Sequence, residues 1–382
     1  MIRSGDIVLL IVGIFFGALL RMVMARSMWN YDMGSWRIVA GIALNHKNIY
    51  AWTDRYNYGP VWMIILYILG SLHDALGLTR LGVDSFHLVV AAFLTLVDIV
   101  VAILLLFRGG IGPALFFILN PLLILLTGIH SQIDTLAILP ALGAWMLLEK
   151  SPAITPRRLV AAACLMALSL ITKHLMLFFP IWLLFCPTLL PSLKMRLSFL
   201  AISIGLFLAS FIPFLFTPGA AHGILVNVIA YRGVSSTDTL LSAALGLFVP
   251  LAKFGAITPQ ALPKILEILF IALTCLLGWI IARRKPGELL EQYLLVLLIC
   301  ASSMSEQYLA IPLIACAMAW RHPATWMYLL ASCLVLLSSD MNLGLIMKIN
   351  SGFTYINAQI WLIFLLLDGL IYIKPADRCD RF

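Results

Sequence analysis

An all-α polytopic membrane protein is the fold class this sequence predicts, on three observations. Of its 382 residues 63% are hydrophobic and only 11% charged, with a mean hydropathy of +1.05. A soluble domain this apolar would not stay in solution. The apolar residues are grouped in runs of about the length that crosses a bilayer, and the basic residues fall in the short loops between them, as the positive-inside rule requires. No long polar segment is left over for a separate soluble domain, so residues 1–382 read as one integral membrane unit.

Along the chain, Arg3 precedes an apolar run at 7–24 that is too long for a signal-peptide core and reads as a signal anchor with a cytoplasmic N-terminus. Further apolar segments fall at 86–107, 111–128, 132–148, 159–173, 175–190, 197–216, 263–282, 288–303, 308–320, 324–339 and 353–373. Together they predict about twelve transmembrane helices, some tilted or in locally thinned bilayer.

Residues 60–78 are apolar enough to span, but they follow Gly59-Pro60 and carry Trp62 and Tyr67. Laid along the outer interface, they keep Arg108, the Lys150, Arg157 and Arg158 group, Lys194 with Arg196, Arg283-Arg284-Lys285, Arg321 and the tail from Lys374 to Arg381 in the cytoplasm. The first loop, with its interfacial helices, is then extracytoplasmic. Four polar clusters share that face: 25–60, 130–134, 217–262 with Arg232, and 305–308.

The net charge of +8 comes from scattered loop residues, which excludes a nucleic-acid surface and fits membrane lipids or a phosphate instead. Six of the seven cysteines lie in apolar runs, so neither a disulfide framework nor a CxxC metal site is implied. There is no repeat of fixed period.

The clusters hold the candidate chemistry. Asp32, in Asn30-Tyr31-Asp32-Met33-Gly34, places a carboxylate about a turn beyond the first span. It is either a solvated loop acid or a general base near a low-dielectric boundary, and the following Trp36-Arg37 and Asn48-Ile49-Tyr50 favour the second. Asp54 ranks behind it, because adjacent Arg55 makes a structural ion pair plausible. His130-Ser131-Gln132-Ile133-Asp134 opens the 132–148 helix, where Ser131 or Asp134 can serve as a cap. An imidazole, an amide and an acid exceed what one cap needs, so His130, Gln132 and Asp134 are candidates for binding acceptor hydroxyls or supporting Asp32. A divalent cation held by His130, Asp134 and Asp32 stays open, although their spacing is not diagnostic.

Lys173-His174 interrupts an apolar stretch, either snorkelling to headgroups or meeting a phosphate; Arg232, flanked by Tyr231 and Gly233, suits the same anion. Glu306-Gln307-Tyr308 marks a helix hairpin or a fourth part of the site. Asp98, inside a span, reads as pairing with a neighbouring helix.

Taken in order, one span, the Asp32 loop, Tyr56-Asn57-Tyr58-Gly59-Pro60, Asn120-Pro121, Gln132-Ile133-Asp134, Lys173 at a span end and Ser305-Glu306-Gln307-Tyr308 resemble the GT-C glycosyltransferases. The likeness is to those that use polyprenyl-phosphate sugars as mannosyl or glucosyl donors. It implies a GT-C fold with a catalytic module at 1–216 and variable C-terminal helices at 217–382. It also implies a site on the extracytoplasmic side of the inner (plasma) membrane and transfer with inversion. Asp32 is then the base, with Lys173, His174, Arg232, Tyr58 and Arg37 on the donor. His130, Gln132, Asp134, Asp54, Glu306, Gln307 and Tyr308 serve the acceptor or support the base. The acceptor is a glycan, a lipid or a protein.

Three motifs depart from the pattern: Tyr-Gly-Pro stands for Tyr-Pro-Pro, Ser-Glu-Gln for His-Glu-Lys, and a single first-loop acid for an acidic pair. Rival classes are a lipid-linked glycan polymerase or ligase, which would rest on extracytoplasmic arginines without this base, and a lipid or sugar transporter, which would show repeats and broken midplane helices.

Overall fold

The computed structural model describes residues 3–28, 30–81, 85–149, 154–230, 239–241, 243, 262–301, 304–339 and 351–371. Every regular element among them is helical. Among the described residues, four helical segments are long and apolar enough to cross a bilayer: α1 (Ser4–Ser27), α5 (Ser85–Gly109), Leu193–Phe214 and Lys264–Arg284. A fifth is added if Ile111–Ile118 and Pro121–His130, bent by 41°, form one span. The twelve apolar segments of the sequence therefore do not all become full-length helices.

Breaks that an averaged hydropathy hides divide the rest. Asn120 caps α7 (Pro121–Leu125) by accepting from the N–H groups of Leu122 and Leu123, and Pro121 cannot continue the preceding α6 (Ile111–Ile118). Lys173 is extended and closes α9 (Pro156–Thr172), after which the run 175–190 yields only a 3-10 turn at His174–Met176 and the short α10 (Phe179–Leu184). Segment 308–320 likewise divides into a 3-10 turn at Glu306–Ala310 and a helix at Leu313–Met318.

The first loop holds α2 (Tyr31–Leu44), α3 (Ile49–Trp52) and α4 (Pro60–Ala75). The 16 residues of α4 extend about 24 Å, less than a typical hydrocarbon core of ~30 Å. α4 packs against α2, α5 and α9. α8 (Asp134–Glu149) pairs with α9, which also packs on α11 (Leu193–Ala209).

Two buried ion networks set the frame. Arg21 of α1 is fully buried; its Nε lies 3.1 Å from Asp98 Oδ2 on α5, and its Nη1 donates to the carbonyls of Gly17 (3.0 Å) and Ile118 (2.9 Å). Thr127 Oγ1 donates to the same carboxylate at 2.8 Å. Desolvated ions persist in such surroundings only when paired and hydrogen-bonded, so this set ties α1, α5 and the bent segment at 111–130 together. At the far end of α8 from Asp134, Arg108 forks onto both oxygens of Glu149 (3.1 and 3.2 Å) and bonds Glu291. Arg108 is thus neutralised by two acids.

Candidate active site

Asp32 stands in the first turn of α2 because Asn30 caps that helix, its Oδ1 accepting from the N–H groups of Asp32 (3.1 Å) and Met33 (3.2 Å). Two further contacts reach this turn from one short segment. Asn30 Nδ2 lies 2.7 Å from His130 Nδ1, and Gln132 Nε2 donates to Asp32 Oδ2 at 2.5 Å.

The segment between them explains how both side chains arrive. Residues Leu126–His130 form a π-helical turn, and Ser131 follows in the left-handed region (φ 50°, ψ 49°), an uncommon conformation for a residue other than glycine. The Ser131 carbonyl accepts from Trp36 Nε1 at 3.2 Å, which holds the turn against α2. Helix α8 starts only at Asp134, two residues later than the sequence reading. Neither candidate cap acts as one: Ser131 Oγ has no partner, and Asp134 turns inward to Lys173.

That inward pair is the second part of the site. Lys173 Nζ lies 2.6 Å from Asp134 Oδ1, with Asp134 fully buried and Lys173 almost so. The rings of Tyr58 and Tyr308 flank the ammonium at 5.4 and 5.3 Å. Tyr58 reaches it because Gly59 packs directly on the end of α9, where a Cβ would overlap the Ile171 carbonyl oxygen. The turn is pinned by phenols: Tyr56 donates to the Gly59 carbonyl (2.6 Å) and accepts from Met63 N–H (2.8 Å), while Tyr50 donates to the Tyr58 carbonyl (3.0 Å). Tyr308 comes from the 3-10 turn at Glu306–Ala310, which packs against α7, α8 and the π turn.

No family model, curated protein or solved structure matches this chain. The chemistry must therefore be read from the geometry.

Burial raises the Asp32 carboxyl above the usual carboxylate range. The Gln132 hydrogen bond and the charges of His130 and Lys173 oppose the rise, and Asp134 adds to it. Asp32 remains half-buried, so a hydroxyl can approach it. On the segments that supply Gln132, Lys173 and Tyr308, the atoms Ser131 Oγ, Gln132 Oε1, Asp134 Oδ2, His174 Nδ1 and Gln307 Oε1 are buried without a hydrogen-bond partner. Each such atom costs about 1–3 kcal/mol unless a ligand or solvent meets it.

The other sequence candidates sort differently. Asp54 is exposed, and Arg55 stacks over Tyr31 at 4.4 Å rather than pairing with Asp54. Arg37 is half-buried on α2, and Glu306 accepts from Ser305 Oγ at 3.3 Å. Arg232 lies outside the described residues. Among the described residues no three His, Cys, Asp or Glu side chains come together to hold a metal; Lys173 and Asn30 already engage Asp134 and His130.

Four contributors escaped the sequence reading. Asn30 carried a signal, an Asn before a helix start. Trp36 shows in the sequence only as a flank of Asp32 and Gly59 only as a departure from a motif, and Arg21 has no signal beyond being a charge inside a span.

Proposed function

We propose that the chain is a GT-C-type membrane glycosyltransferase moving a hexose from a polyprenyl-phosphate donor to an acceptor hydroxyl, with Asp32 as general base. The observation that carries this reading is Asp32 itself: a reachable acid with raised proton affinity, held by Gln132 beside the neutralised Lys173–Asp134 pair. A general base in this position is worth about 10²–10⁴ in rate. The unpartnered donors and acceptors on these segments suit the adjacent hydroxyls of a sugar. In this reading about twelve segments cross or dip into the plasma membrane, α4 lies along the outer interface, and the site faces the extracytoplasmic side.

In the reaction, the acceptor O–H gives its proton to Asp32 while its oxygen attacks the anomeric carbon. The bond from that carbon to the phosphate oxygen breaks, its electron pair leaves with polyprenyl phosphate, and the anomeric configuration inverts. Charge builds on the departing phosphate, so donors aimed there lower the barrier more than they tighten binding. Lys173 keeps N–H groups beyond the one bound to Asp134 and serves as such a donor; Arg232 supplies the second cation.

The test is to incubate the purified protein with a panel of polyprenyl-phosphate sugars and measure release of polyprenyl phosphate. Release by the wild type that Asp32→Asn abolishes supports the reading. Release unaffected by that substitution removes Asp32 as the base, and no release from any donor overturns the reading.

A further inference from the structure

Beside the acid the first loop builds a second feature. Helix α12 (Ala220–Gly223) lies so close to α3 that a Cβ on Gly223 would overlap the Tyr50 carbonyl oxygen. An open cavity of about 480 Å³ results, with Trp52, Asp54, His222 and Asn227 among its lining. Trp52 keeps 58% exposure while Lys47 Nζ, 3.8 Å over the ring, holds the indole in place.

The cavity connects to the catalytic turn through one contact. Arg55, next to Asp54, lies 4.4 Å over the ring of Tyr31, which is 65% exposed and precedes Asp32. Trp52 and Tyr31, each with a cation over one ring face and the rest of the side chain exposed, thus join the carboxylate of Asp54, the imidazole of His222 and the amide of Asn227 on a surface that ends beside Asp32. A saccharide has matching surfaces: the C–H face of each ring lies on an indole or phenol, and its hydroxyls bond carboxylate and amide groups in pairs. Lys47 and Arg55 beside these rings would also suit an anionic headgroup, but an interfacial aromatic anchor needs no acid, amide and imidazole in one cavity.

We propose that this surface is an acceptor-glycan site, with a saccharide lying across the Trp52, Asp54, His222 and Asn227 cavity and Tyr31 so that its terminal hydroxyl reaches Asp32. The proposal rests on the transferase reading and specifies its acceptor.

The test is saturation-transfer NMR on the full chain in nanodiscs with linear gluco- and manno-oligosaccharides, from disaccharides to hexasaccharides. At least one is expected to bind at millimolar concentration or better. Trp52→Ala and Asn227→Ala should each weaken it about tenfold, corresponding to one aromatic or amide contact. Trp52→Phe should recover most of the loss, and Asp32→Asn should keep binding. Melting temperatures within a degree of wild type show that the variants are folded. No binding by any oligosaccharide, or binding that Trp52→Ala and Asn227→Ala leave within twofold, overturns the site. Transfer to a simple alcohol without saccharide binding removes the glycan site and keeps the transferase. Saccharide binding lost in Trp52→Ala, with no polyprenyl phosphate released from any donor, keeps the glycan site and removes the transferase.

Discussion

Gly59 gives the sharpest test of the geometry, because intuition from the motif and the structure predict opposite signs. Its backbone (φ −72°, ψ 171°) is open to any residue, proline included, and an extended residue is what precedes Pro60 best. On that ground Gly59→Ala or Gly59→Pro should gain about 0.4–1 kcal/mol by restricting the unfolded chain. A Cβ, however, would overlap the Ile171 carbonyl oxygen and stand 2.9 Å from Ile171 Cα, and helix backbone cannot rotate aside. Forced overpacking costs about 1–3 kcal/mol, so both variants should be net destabilised, proline at least as much as alanine. The start of α4 must then move off α9 and carry Tyr58 from its 5.4 Å contact with Lys173. Gly205 on α11, with nothing within 4 Å of an added Cβ, is the control: Gly205→Ala should gain about 0.5–1 kcal/mol. Thermal melting of the three variants in one detergent decides it. If Gly59→Ala melts at or above wild type, the close approach of α4 to α9 is wrong.

Two further outcomes follow from the same contacts. Asp32→Asn should lower turnover about 10²–10⁴-fold with donor binding retained. Because the folded pKa of Asp32 is raised, its ionisation weakens the fold as pH climbs from the ordinary carboxylate range through the raised value; the variant should match wild type below that window and melt higher above it. Wild-type activity should rise across the same window, and melting curves that differ equally at all pH values would refute the assignment. Lys173→Met strands the fully buried Asp134 and should cost about 3–5 kcal/mol, whereas Lys173→Met with Asp134→Leu should recover much of it; denaturant melts showing additive losses would refute the coupling.

The sequence made much of this legible, and for identifiable reasons. Helical content and membrane character follow from apolar runs and loop charges, which are composition effects that no packing detail can reverse. Asp32, Gln132 with Asp134, Lys173 and Tyr308 lie in four separate stretches of the chain, and the fold brings them together through contacts such as Gln132 to Asp32 and Lys173 to Asp134 and Tyr308. What the sequence hid was pairing and breakage. Hydropathy averaged over Asn120-Pro121 and Lys173 merges helices that caps and extended residues separate. The partner of a charge is likewise set across the fold: Arg108 meets Glu291, 183 residues away, while Arg55 turns to Tyr31 and not to adjacent Asp54.

The pairing of Lys173 also bears on the proposed role of Asp32 as a base. A lone ammonium in this site would hold the carboxylate firmly ionised and weaken its pull on a proton. Bound to Asp134 at 2.6 Å, Lys173 presents a nearly neutral pair, and the acid on that pair pushes against Asp32. Desolvation then dominates, with Gln132 supplying direction more than charge. The unpartnered Oδ2 of Asp134 and Oε1 of Gln132 cost stability in the resting protein, as does the left-handed Ser131 that delivers them. Packing elsewhere, in the Arg21–Asp98–Thr127 set, holds that segment in a conformation it would not adopt alone. A site preorganised in this way has met its ordering cost before substrate arrives, so the proton affinity of Asp32 is set by the fold and not by the ligand.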